Sequence, residues 1–415
     1  MIDIKIMEQK DYLERLLNGT DVEFHKIKNV FKRIKGTPIT AGKMKEIATP
    51  MGSVRIFAGG KTMIDANEED IPNANITKVP SVIVQSRGVI DVVYYEKPFT
   101  FKNEMWAYTA DNKISVKYLY YIMKSNIQTF RDAASKMGAL PQISLSVTED
   151  FEIPLPPLPI QEEIVRILDT FTELEAELEA ELEARRKQYE YYRNKILDFS
   201  VLNRGGQLLN NVIFVTLGDV SSIYGGLTGK SKSDFGLGLA FYVPYKNIYD
   251  NIQVQSENLE MVRVEAGETQ HEVVYGDVLF TGSSETIEEV GMSSVVTSTL
   301  PPNVYLNSFS FGVRFNDSVK LIPQFSKFLF RSPFLRQQIQ RTASGVTRFN
   351  VSKERFRKIH IPVPPIKEQE RIVSILDEFD TLTTSVNEGL PKEISLRRKQ
   401  YEYYRNQLLS FTKHQ

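Results

Sequence analysis

Apolar and polar residues follow two periods along this chain, and the same succession of periods occurs twice. SVIVQSRGVIDVVYY (81–95) predicts two β-branched strands around a Ser-Arg-Gly turn. DVLFTGSSETIEEVGMSSVV (277–296) has the same form with a longer Gly/Ser loop. KYLYYIMKSNIQTFRDAASK (117–136) and FSKFLFRSPFLRQQIQRTAS (325–344) carry the 3.6-residue period of amphipathic helices. Beyond a hinge containing Pro154, Pro156, Pro157 and Pro159, neither Gly nor Pro recurs until Gly205, so 161–199 is expected to form one helix of about 58 Å. Ile164, Leu168, Phe171, Leu174, Leu178, Leu182, Tyr189, Tyr192 and Ile196 form a single apolar stripe along it. Ile372, Leu376, Phe379, Leu382, Tyr401, Tyr404 and Leu408 repeat the stripe, with NEGLP (387–391) expected to bend or break the second helix.

The repetition extends to the letters. IPLPPLPIQEEIVRILDTF (153–171) aligns with IPVPPIKEQERIVSILDEF (361–379) at an offset of 208, and RRKQYEYYRN occurs identically at 185–194 and 397–406. Between these blocks the second copy is four residues longer, about one helical turn. Upstream, VEFHKIKNVFKRIKGT (22–37) weakly matches VIFVTLGDVSSIYGGL (212–227). The unit is a mixed α and β globular segment, a Pro-rich hinge and a long helix. The expected organisation is a globular domain at 1–152, hinge and central helix at 153–200, a linker at 201–211, a second domain at 212–360, and hinge and C-terminal helix at 361–415. An antiparallel pairing of the two helices would bury both stripes and hold the globular segments at opposite ends. The fold class is therefore α+β with a pseudo-two-fold internal repeat.

Composition narrows the chemistry. The 415 residues suit two domains of about 150 residues plus connectors. With no Cys, thiol catalysis, disulfides and Cys-ligated zinc are excluded. The opening MIDIKIMEQKDYLERLL is too charged for a signal peptide, and no apolar run is long enough to span a membrane, so a cytoplasmic protein is expected. The net charge of −1 is uninformative until it is resolved locally. Phe24 to Lys61 holds nine Lys or Arg against Glu46 alone, and Arg331 to Lys358 holds eight against Glu354 alone, with the acidic counterweight in the first long helix. Two such stretches in corresponding segments suit a phosphate backbone.

Catalytic motifs fail one by one. GGLTGKS (225–231) misses the P-loop spacing by one residue and reads as a Gly-rich turn offering Lys230 to a phosphate. PPNVY (301–305) has the wrong order for an adenine methyltransferase motif. The four His are scattered without metal-ligand spacing, and Glu162 and Glu163 sit where a helix start favours solvated acids. Trp106 reads as core rather than as a base-stacking platform.

With these residues in place, the chain resembles the specificity (S) subunit of type I restriction–modification systems over essentially its full length. The resemblance rests on the twice-repeated IP-[LV]-PP…QE-x-IV-x-ILD-x-F block, its helix and the decapeptide; the globular segments match in outline only. It implies two target recognition domains, each reading half of a bipartite duplex DNA sequence. It also implies an antiparallel helical spacer that docks two methyltransferase subunits, and restriction subunits in the full complex. S-adenosylmethionine would belong to the modification subunit, ATP and Mg to the restriction subunit, and no cofactor, metal or catalytic residue to this chain. Loop position and chemistry then select the DNA-binding candidates Lys43, Lys45, Arg55, Lys61, Arg87 and Gln142 in the first domain. In the second they select Lys230, Lys232, Ser283, Ser284, Arg341, Arg348 and Asn350. Arg185, Arg186, Tyr189, Tyr192 and Arg193, with Arg397, Arg398, Tyr401, Tyr404 and Arg405, are expected to meet identical surroundings, through helix packing, partner docking or both. The competing readings are a type II-like specificity subunit, an unfamiliar nuclease, and a coiled-coil scaffold without DNA affinity.

Overall fold

A computed structural model describes residues 12–60, 62–135, 140–199, 212–384 and 388–412. The described residues form two compact units. One gathers those up to Glu179 together with those from Glu393 onward; the other spans Ala180–Lys392.

In the first unit, a four-stranded sheet orders Lys32–Lys35, Trp106–Thr109, Ser81–Gln85 and Asp91–Tyr95. A three-stranded sheet orders Met63–Ala66, Val54–Phe57 and Phe99–Phe101, the last two parallel. The second unit repeats the plan. Ser221–Gly225, Ser310–Phe315, Val278–Thr281 and Ser293–Val295 make the four-stranded sheet, and Glu260–Val262, Phe235–Val243 and Val304–Leu306 the three-stranded one. The strands expected in 81–95 and 277–296 form, and each pairs antiparallel with its neighbour. The amphipathic segments are helical but each divides in two, Lys113–Ser125 with Ile127–Asp132, and Pro323–Leu329 with Pro333–Thr342. Pro333 sets the second division, since it opens the new helix with Ser332 capping the Leu335 N–H.

The Pro-rich hinges are strands. Glu152–Leu155 pairs antiparallel with Glu23–Lys26, and His360–Val363 with Ile213–Thr216, so each hinge is stitched to the start of its own repeat. The first long helix runs Leu158–Ile196, beginning three residues earlier than expected because Pro159 falls in its first turn, where no intrahelical N–H is needed. The second is in two pieces, Ile366–Thr384 and Gly389–Leu409. Gly389 has φ +70°, and a Cβ there would lie 2.6 Å from the Leu382 carbonyl oxygen.

The stripe closes within each unit. In the first, Ile164, Leu168 and Leu408 are buried in one core, and Phe171 stacks on Tyr404 at 5.2 Å. Arg398 pairs with Glu175 and Glu179. In the second, Ile372, Leu376 and Leu197 share a core, and Phe379 lies 6.2 Å from Tyr189 and 6.1 Å from Tyr192. In both units rising numbers on one segment meet falling numbers on the other, so the pairing is antiparallel. Arg193 lies over Tyr189 and Arg405 over Tyr401, each at 5.6 Å. The decapeptides are thus identical at least partly because each packs on the equivalent Phe of the other repeat.

Trp106 is core. Its Nε1–H donates to Thr148 Oγ1 at 2.9 Å, and the Tyr108 hydroxyl lies 2.7 Å from the same atom, all three side chains being buried. Thr148→Val strands both groups and is expected to cost about 2–4 kcal/mol. Urea unfolding followed through the fluorescence of this sole Trp checks it; unchanged stability would remove the hydroxyl from the core's support.

Candidate nucleic-acid interface

Arg87 and Gln142, 55 positions apart, face each other across a short antiparallel ladder. The Ile143 N–H donates to Ser86 O at 2.9 Å and the Gly88 N–H to Pro141 O at 2.9 Å. Gln142 also pairs with Ser135, and the Gly60 N–H donates to the Arg87 carbonyl. Both side chains are exposed.

The second unit builds the same ladder. Ser283 pairs with Asn350, Asn350 with Ser344, and the Val351 N–H donates to Gly282 O at 3.0 Å. Position by position, Arg87 corresponds to Ser283, Gln142 to Asn350 and Ser135 to Ser344. Arg348, exposed on the hairpin, donates from Nε and Nη2 to Ser283 Oγ at 3.1 and 2.8 Å. The hairpin needs Gly345, because a Cβ there would come within 1.9 Å of the Arg348 carbonyl oxygen. Ser283, Arg348 and Asn350 line one open concavity of about 420 Å³ with Phe309 and Lys353, which the sequence reading did not select. Ser284 Oγ reaches Glu289 at 3.5 Å.

Other candidates lie apart from these ladders. Lys43 and Lys45 are on the helix Ala41–Ile47, Lys43 paired with Glu46 at 2.7 Å and Lys45 exposed. Arg55 is held bidentately by Asp65 at 2.7 and 3.0 Å, which raises the guanidinium's pKa and lowers the carboxyl's. Lys230, only 6% exposed, pairs with Glu268. Hydrogen bonds from Lys230 and then from the Glu265 backbone N–H hold the Glu268 carboxyl down to about 2. The turn thus directs this lysine to a protein carboxylate instead of offering it freely. Lys232 and Arg341 are exposed; Lys61 lies outside the described residues.

The basic stretches are less uniform than their letters. In the first, Lys26 and Lys28 pair with Asp150, and Arg33 with Glu149, so acids at the domain's end and Asp65 supply counterweight, not only the long helix. In the second, Arg331 and Arg336 turn inward. Arg331 donates to the carbonyls of Ile248, Tyr249, Asn251 and Ser293, and Arg336 to those of Glu288, Val290 and Gly291. Burial pushes each guanidinium down to about 10, still charged at neutral pH. Arg336 thereby fixes the 285–292 loop that follows Ser283 and Ser284, and Arg331 ties the 248–251 segment to Ser293.

In the decapeptides, Tyr189, Tyr192, Tyr401 and Tyr404 face the helix partner, and Arg186 reaches the Thr383 carbonyl at 3.5 Å. Arg185 bonds Gln188 and Glu181, as Arg397 bonds Gln400 and Glu393. Among the described residues no group of three or more His, Asp or Glu could hold a metal ion, and no helix is long and apolar enough to cross a membrane.

Four likenesses accompany this geometry. The family model described as the type I restriction modification DNA specificity domain matches residues 19–184 and again 210–396. The type I restriction enzyme EcoR124I/EcoR124II specificity subunit of Escherichia coli is 31% identical over 428 residues, covering 98% of each chain. The crystal structure of a type I restriction–modification S subunit from M. genitalium superposes with a TM-score of 0.53 at 18% identity, covering 95% of this chain and 98% of that one. A chain from a structure addressing complex assembly and conformational transition of the type I system gives 0.56 at 16% identity, covering 94% and 98%.

Arg336→Met leaves the Val290 and Gly291 carbonyls short of their donor, while Gln340 still donates to Glu288. It is expected to cost about 2–3 kcal/mol; chemical denaturation measures it, and a change under 0.5 kcal/mol would refute the clamp.

Proposed function

The chain belongs to the type I restriction–modification DNA specificity family, and on that premise we propose how it reads DNA and meets its partners. It is the DNA-recognition subunit of such a system and not itself an enzyme. The proposal assigns residues 1–152 and 212–360 as two target recognition domains, each reading one half of a bipartite target through the major groove. The helical segments at 153–200 and 361–415 set the gap and dock two methyltransferase subunits, to which restriction subunits add. S-adenosylmethionine, ATP and Mg then belong to those partners, and the assembly works in the cytoplasm.

One observation carries this reading. An exposed amide side chain stands at the same ladder position in each repeat, Gln142 opposite Arg87 and Asn350 opposite Ser283. Gln and Asn match the N6/N7 edge of adenine, and Arg the O6/N7 edge of guanine. On this reading Arg87, Gln142, Arg348 and Asn350 read bases. Lys43, Lys45, Lys232 and Arg341 contact phosphates. Arg55 and Lys230, already matched by Asp65 and Glu268, support their own strands and turns.

Docking draws on the decapeptide residues that packing leaves outside. Tyr191 is 60% exposed and Tyr403 51% exposed, beside exposed Lys187 and Glu190, Lys399 and Glu402. Helix packing does not require these to be identical; two copies of one partner would.

Genome-wide mapping of methylated adenine, in cells carrying this chain with its neighbouring methyltransferase, tests the reading. Exchanging 1–152 or 212–360 is expected to change one half of a gapped motif each. Asn350→Ala should relax a single position in the half set by 212–360, worth about 1–3 kcal/mol of discrimination. A motif indifferent to either exchange refutes two-domain reading. Replacing Tyr191 and Tyr403 together by Ala should weaken methyltransferase binding at least ten-fold, about 1.4 kcal/mol, by titration calorimetry, with the melting temperature kept; unaltered affinity moves docking elsewhere.

A further inference from the structure

We infer that Phe309 reads a thymine in the half-site of the second domain, by contact with its 5-methyl group; this rests on the proposed DNA-reading role of the Ser283–Asn350 ladder. Phe309 is 61% exposed, an aromatic ring left outside on a concavity whose other aromatic, Phe311, is buried. Its backbone is fixed on both sides. The Gly282 N–H donates to the Phe309 carbonyl at 2.9 Å, and the Phe309 N–H donates to Asn307 Oδ1 at 3.0 Å. The Arg348 guanidinium lies 5.9 Å from the ring centre, while Arg348 also holds Ser283. One rigid turn therefore places an apolar face beside the amide of Asn350 and the cation of Lys353, all lining one concavity.

Every polar neighbour of the ring offers hydrogen bonds, and the ring offers none. In the major groove the thymine methyl is the one apolar group a base pair presents, and Phe is among the side chains suited to it. Asn350 and Phe309 together match the two faces of A·T pairs: the N6/N7 edge of adenine and the methyl of thymine.

The first repeat shows that this position is free to differ. Ser86 corresponds to Gly282 and Trp106 to Phe311, since Val84 pairs with Trp106 as Phe280 pairs with Phe311. Glu104 consequently stands where Phe309 does; its carbonyl accepts from Ser86 Oγ, and its carboxylate pairs with Lys102 at 2.8 Å. The same turn carries an ion-paired acid in one domain and a bare aromatic in the other, so methyl reading is confined to the second half-site.

The test uses the full chain assembled with its methyltransferase subunits and duplexes bearing the motif found by methylation mapping. Deoxyuridine, thymidine without the methyl, replaces each thymidine of the second half-site in turn. Wild-type complex is expected to lose roughly four- to ten-fold in affinity at one position. Phe309→Ala should show the loss already on unmodified DNA and no further loss with deoxyuridine, and Phe309→Leu should retain part of the methyl dependence. Equal binding of all substituted duplexes, a second half-site without A·T pairs, or undiminished deoxyuridine sensitivity in Phe309→Ala would overturn the inference. Absence of sequence-specific binding by the wild-type complex would instead overturn the reading of the ladder itself.

Discussion

Each compact unit depends on an aromatic seat that neither repeat fills from its own sequence. Phe171 needs Tyr401 and Tyr404, and Phe379 needs Tyr189 and Tyr192. Aromatic pairs contribute about 0.5–1.5 kcal/mol beyond area burial, and burying Ile164, Leu168 or Leu408 adds about 1.5–3 kcal/mol each. The cost of mismatch is therefore concentrated in a few residues, and those residues lie in RRKQYEYYRN. Arg193 and Arg405 stack at the same 5.6 Å on Tyr189 and Tyr401, which fixes a third letter of the decapeptide along with the tyrosines. The seat binds the globular segments to the helices as well. Ile153 of the hinge strand and Val116, Leu119 and Ile122 of the domain helix share the core of Ile164 and Leu168.

Much of this was legible because periodicity and repetition are local signals. Most of the stripe, the hinge prolines and the strands in 81–95 survive in the structure with shifts of a few residues at their ends, while Leu174 is exposed. Ion pairing was not legible, because counterions are remote in sequence: Lys28 meets Asp150, Lys230 meets Glu268, and Arg331 meets carbonyls some eighty residues away. A run of basic letters records charge but says nothing of where each side chain turns. The 285–292 loop thus meets Arg336, which the sequence reading had counted toward a DNA-facing surface, through its main-chain carbonyls.

The equivalence of the two ladders was likewise hidden. Gln142 and Asn350 keep the 208-residue offset of the hinge and helix blocks, but Arg87 and Ser283 are 196 apart, because the intervening loops differ in length. Only strand register recovers the correspondence. The cores behind the ladders differ as much as the surfaces. Where the first domain has Trp106 and Tyr108 around the Thr148 hydroxyl, the second has Phe280 and Phe311 packed on Phe356 at 5.0 and 5.1 Å. Thr148 and Phe356 stand at the 208-residue offset, so a hydrogen-bonded core and an aromatic one support the same strand plan.

That division lets one scaffold carry two different outward surfaces. The ladder is made of main-chain hydrogen bonds, Ile143 to Ser86 in one domain and Val351 to Gly282 in the other, and main-chain bonds are indifferent to side chains at the exposed positions. Residues 87, 142, 309 and 350 can therefore change without disturbing the backbone that presents them, whereas Ser283 is buried and accepts from Arg348. The turn glycine cannot: at Gly345 a Cβ would meet the Arg348 carbonyl oxygen at 1.9 Å. Variation is cheap at the positions that face outward and costly at the turn of the same hairpin, where the chain closes on itself. A fold with that contrast built into one hairpin can alter its outward surface while keeping the helical seats, and with them the identical decapeptides, unchanged.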